Sequence, residues 1–128
     1  ELAESVKNTV KTALAPDMTA CQQAAMDRYF KGSASLYQAF LNAGVAQFPN
    51  DMAAIEIAMT SQDSAALRRQ AHNLKSALGM LGFEAQKQQA LRLELAASEG
   101  DWFAATVAWQ SLALDLTHLF GIGQPQAG

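Results

Sequence analysis

Leu67, Ala71, Leu74, Leu78 and Leu81 recur at alternating intervals of four and three, and Trp102, Ala105, Trp109, Leu112, Leu116 and Leu119 repeat the rhythm near the end of the chain. That period belongs to an α-helix that turns one apolar seam toward its neighbours. β-Branched residues are sparse, and no stretch alternates apolar and polar residues as a half-buried strand does. The expected fold is therefore all-α, with short connections that make successive helices antiparallel.

Turn residues punctuate the helical stretches. Residues 2–14 predict a first helix, ended by Ala15-Pro16-Asp17, and a second runs from Thr19 to Lys31 before Gly32. Ser33 suits the N-cap of a third, with an apolar stripe at Leu36, Phe40, Gly44 and Phe48. Pro49 kinks or breaks it, and Asn50-Asp51 suit a new start, so residues 33–60 read equally as one kinked helix or as two. A helix from Ser64 to Leu81 stops at Gly82, the next spans Glu84 to Ser98 with Leu91 and Leu95 as its apolar residues, and the last is capped by Asp101. Trp102 and Trp109 fall in phase with the leucines, and Met26, Met52, Met59 and Met80 serve as gap fillers. The 128 residues suit one domain, with a core over about 33–119, a helical extension over 1–31 and a loose tail over 121–128.

Composition excludes several functions. Every apolar stretch is interrupted before the roughly 20 residues needed to cross a bilayer, and the first residues show no signal pattern. Cys21 stands alone, so no internal disulfide and no thiolate zinc site is expected, and the cytoplasm is the default location. Nine basic residues against twelve acidic ones leave a net charge of -3, which argues against nucleic acid or anionic lipid as a partner. The chain opens with Glu1 instead of methionine and so reads as a segment of something longer.

Within this acidic chain, Arg68, Arg69 and Lys75 gather around His72. At about 100° per residue, His72 points roughly 140° from the middle of the Leu67–Leu81 seam, toward water. Ala65, Ser76 and Gly79 on the same stripe are small and leave the ring open to a visitor, although a glycine inside a helix costs roughly 1 kcal/mol. An exposed histidine is by position alone usually no more than that. A neutral imidazole is nonetheless a nucleophile that can take a phosphoryl group, with Lys75 one turn on to neutralise its oxygens. The sequence offers no phosphate loop and no acidic cluster for magnesium near His72, so the donor and its Mg2+ must come from a partner. His118 reads as an exposed or structural histidine of the last helix, and no metal-ligand spacing joins it to His72.

His72-Asn73-Leu74-Lys75-Ser76, followed by Gly82, resembles the His-x-Leu-Lys-Gly signature of histidine-containing phosphotransfer (HPt) domains. Gln62-Asp63, Leu93-Glu94 and Gly100-Asp101 are similar to the family's flanking turn, Leu-Glu pair and final loop, so the resemblance spans about residues 36–119. It implies an antiparallel four-helix bundle whose His72 takes a phosphoryl group from an aspartate of one receiver domain and passes it to another receiver. Lys75 matches the signature, while Ser76 replaces its glycine and keeps the site open. The resemblance implies a monomeric, cytoplasmic module with no kinase activity of its own, set at the C-terminus of a hybrid sensor histidine kinase, with the free-standing form of the family as the alternative context. Ser76, Gly79, Gly82, Arg68 and Arg69 are then expected to give access and docking to receivers. The rival expectation is a helical bundle that docks partners without carrying phosphate.

Overall fold

The computed structural model describes residues 19–122, which form five helices. They are α1 (Ala20–Phe30), α2 (Ala34–Ser61), α3 (Ser64–Leu81), α4 (Glu84–Glu99) and α5 (Trp102–Phe120). The helix expected over residues 2–14 and the end of the tail lie outside the described residues. Side-chain caps start four helices: the Thr19 hydroxyl accepts from the Gln22 N–H in a capping box, and Ser33, Asp63 and Asp101 accept from the N–H three residues on. Gly82, Gly100 and Gly121 end α3, α4 and α5 in the left-handed conformation.

Two-residue connections fold α2–α5 into an antiparallel four-helix bundle, the all-α architecture expected from sequence. Its core is a single cluster that includes Leu41, Phe48, Ile55, Leu67, Leu74, Leu78, Leu93, Trp109, Leu112 and Leu116. Cross-bonds fix the neighbours: Ser64 Oγ donates to the Ala97 carbonyl, Gln86 Nε2 to Asp115 at 3.0 Å and Gln89 Nε2 to Ser111 at 2.6 Å.

Residues 34–61 form one helix, with Pro49 inside it and Asn50-Asp51 continuing it. Proline removes one N–H from the ladder, but Phe48 and Ile55 on either side are fully buried and anchor both halves in the core. At 28 residues, α2 is about 42 Å long and overruns the 18-residue α3. The short helix α1 packs against α3 and the first part of α2. Phe30 meets Tyr37 edge-on at 5.6 Å and Phe40 at 5.5 Å.

Three apolar stripes differ from their expected phase. In α2 the buried face is Tyr37, Leu41 and Phe48, and Leu36 is exposed. In α4, Ala90, Leu93, Ala96 and Ala97 go inward while Leu95 turns out. In α5 the seam ends at Phe120, which packs on Phe48 and Phe83, and Leu119 is exposed. A straight helix of 3.6 residues per turn drifts off a strict three-four seam, so a fourth-residue step at the end of α5 suits it better.

The Tyr37 hydroxyl donates to the Leu81 carbonyl at 2.6 Å and accepts from Gln22 Nε2 at 3.2 Å, joining α2, α3 and α1 in one buried chain of bonds. Burial raises the Tyr37 pKa, against the hydrogen bond from Gln22. Tyr37→Phe is expected to cost about 1–3 kcal/mol in urea unfolding, because it leaves the Leu81 carbonyl and the Gln22 amide without this partner. An unchanged midpoint would show the network to be idle.

Candidate functional site

His72 lies midway along α3 with its side chain 55% exposed, while Ala71 and Leu74 beside it are buried. The seam inside and the imidazole outside follow from the same helical phase. Arg68, Arg69 and Ser76 are also exposed, and Ala65, Arg68, Arg69, His72 and Glu94 line one shallow pocket.

The partner of His72 comes from the next helix. Glu94 on α4 places Oε2 at 3.0 Å from His72 Nδ1, and its Oε1 lies 2.8 Å from the Lys75 amine in an ion pair off the line of a hydrogen bond. One carboxylate thus bridges the histidine and the lysine one turn on. Lys75 is only 23% exposed and Glu94 17%, so the lysine lies against α4 instead of standing free in solvent.

An ionised carboxylate only accepts hydrogen bonds, so the Nδ1 it touches carries the proton. In the neutral ring the lone pair then belongs to Nε2, the nitrogen away from Glu94. Burial pushes the Glu94 pKa up, and Lys75 followed by His72 more than reverses this, leaving the carboxyl below its ordinary value. It is therefore ionised at neutral pH and presents an acceptor to His72 Nδ1.

The remaining sequence candidates are distributed differently. Gly79 shares the His72 stripe, but the Lys87 stem of α4 covers it: a Cβ there would lie 3.2 Å from Lys87 Cδ. Gly82 is buried away from the docking surface expected for it. Its φ is +85°, and a Cβ would lie 2.5 Å from Gln22 Cα and 2.6 Å from the Cys21 carbonyl oxygen. The close passage of α1 accounts for that glycine. His118 is exposed in the last turn of α5. Glu94 was not among the expected site residues. Its only sequence signal was the Leu93-Glu94 pair, since a contact between residues 22 apart on two helices leaves no trace in the period of either.

The family model for the Hpt domain matches residues 35–119. Comparison with curated proteins and with solved structures finds no match.

Proposed function

Because this chain belongs to the Hpt domain family, whose role is phosphotransfer in two-component signalling, we propose that His72 is the phosphoacceptor of a phosphorelay. The observation that carries this reading is the half-exposed imidazole whose Nδ1 is held by Glu94, which leaves Nε2 as the nucleophile. The Nε2 lone pair attacks the phosphorus of an aspartyl phosphate on a receiver. The Nε2–P bond forms as the P–O bond to the aspartate breaks, and the carboxylate leaves with its electron pair. Positive charge that develops on the ring is stabilised through Nδ1–H by Glu94, itself steadied by Lys75. Transfer to the aspartate of a second receiver runs the same steps in reverse.

Arg68 and Arg69 form the cationic side of the pocket and suit an acidic receiver surface, and the small Ser76 lets that surface approach. Lys75, already paired, serves the phosphoryl oxygens and Glu94 together. The only acidic group lining the pocket is Glu94, which is committed to His72 and Lys75 and does not fit a magnesium ion. On this reading Mg2+ and the donor both arrive with the receiver. The setting is the cytoplasmic C-terminal module of a hybrid sensor histidine kinase, with the kinase's own receiver as donor and a response regulator as acceptor. No helix among the described residues is long and apolar enough to cross a membrane.

Incubation with a radiolabelled phospho-receiver is expected to yield acid-labile, alkali-stable label on this chain, with phosphorus on Nε2 by NMR. No transfer from any receiver encoded beside it would favour a bundle that only docks.

Glu94→Gln provides a second check. Loss of a hydrogen bond to a charged group is worth about 1.5–3 kcal/mol, and a half-exposed site sits at the low end, so transfer should slow roughly tenfold. The same variant reports on pH. Since the folded pKa of Glu94 is lowered, its contribution to stability is complete above the unfolded carboxylate value and is lost as pH falls through the folded one. Urea midpoints of wild type and Glu94→Gln should therefore converge on acidification. A gap that widened toward acid would contradict the bridge.

A further inference from the structure

We propose that the α4/α5 face bearing Leu95, Phe103 and Val107 joins two copies of this chain in a symmetric, transient dimer. Phe103 is 81% exposed, and Leu95 and Val107 are each 52% exposed. The three adjoin Ala96, Ala104 and Ala108 along one groove between the antiparallel helices. Together they make one contiguous exposed apolar face, and clustering of large apolar side chains at the surface is a mark of contact sites.

Helical phase separates this face from His72. Counting about 100° per residue along α4, Arg92, Leu95 and Glu99 point on average about 130° away from Glu94. A receiver seated over His72 therefore approaches from a different side of α4.

Charge at the rim selects a second copy as the occupant. Arg92 and Glu99 line the groove seven residues apart, on either side of Leu95 and Ala96, and neither has an ion-pair partner among the described residues. A two-fold axis through the level of Leu95 and Val107 sets Arg92 of each copy opposite Glu99 of the other. The same axis lays each Phe103 ring toward the other copy's Ser111 end of the groove. Such self-complementarity is what an isologous interface requires. Three large apolar side chains make a small face beside the roughly 800 Å² per partner of a standard interface, so the proposed dimer is weak and transient.

Sedimentation velocity of the 128-residue chain over about a hundredfold dilution should show monomer giving way to dimer as concentration rises. Phe103→Asp should raise the dissociation constant at least tenfold, with helix content unchanged because the ring is exposed. Arg92→Glu should raise it roughly threefold or more, and Arg92→Glu with Glu99→Arg should return it to within about twofold of wild type. A chain that stays monomeric at every concentration, or a dimer indifferent to Phe103→Asp, overturns the proposal. A monomeric wild type whose Phe103→Asp variant loses receiver binding would assign the face to the receiver and also overturn it. Phosphoryl uptake at His72 should be intact in Phe103→Asp, so the dimer and the relay reading fail separately.

Discussion

His72→Gln is expected to reduce phosphoryl uptake from any receiver to background. Glutamine has nearly the reach of histidine and can still donate to Glu94, but its amide nitrogen has no lone pair free for attack. The side chain is half-exposed and makes its side-chain hydrogen bond only to Glu94, so the unfolding midpoint should shift by less than about 0.5 kcal/mol. Loss of transfer with an intact fold thus assigns the chemistry to the imidazole. Label that persisted in the variant would place the acceptor elsewhere, and His118, the second of the chain's two histidines, would be the next residue to test.

Gly82→Ala is expected to be among the most damaging single-methyl changes in this fold. Two costs add. A non-glycine residue in the left-handed region loses about 1–2 kcal/mol, and the new Cβ would meet the backbone of Cys21 and Gln22 at 2.5–2.8 Å. Backbone cannot swing aside as a side-chain tip can, so α1 must lift away from the α3–α4 turn, pulling Gln22 from Tyr37. Destabilisation of about 2–4 kcal/mol in urea is expected, with faster amide exchange across Ala20–Phe30. A loss below about 0.5 kcal/mol, with α1 still protected, would show that the close approach carries no weight. Gly100→Ala gives the internal comparison: its φ is +67° with nothing near its Cβ, so only the backbone cost should appear.

Much of this architecture was legible before any coordinates. The bounds of α3, the caps at Ser33 and Asp101 and the outward turn of His72 all follow from local rules, in which residues three or four apart settle one another's environment. The stripe of α2 was not legible, because Leu36 and Phe40 offer one apolar row and Tyr37 and Leu41 another. The choice between them is made by α1 and by the Leu81 carbonyl, which gives the tyrosine hydroxyl a partner. Leu95 of α4 misleads for the opposite reason: alanines at 90, 96 and 97 let α4 approach its neighbours closely, so the small residues go inside and the leucine goes out. Gly82 was readable as a helix stop, but not as the floor on which Cys21 and Gln22 rest. The bridge by Glu94 is likewise a product of helix pairing.

If His72 is the phosphoacceptor proposed above, that bridge bears on how such a site could work in both directions. The proton on Nδ1 is held by a carboxylate on the same chain, so neither loading nor unloading of Nε2 calls for a proton from water or from the visiting protein. On the proposed relay reading, two different receivers would meet the same chemical face, and this proton would give no preference for inbound or outbound traffic. Direction is left to the visitors, through how firmly each aspartate holds its phosphate and how often each arrives.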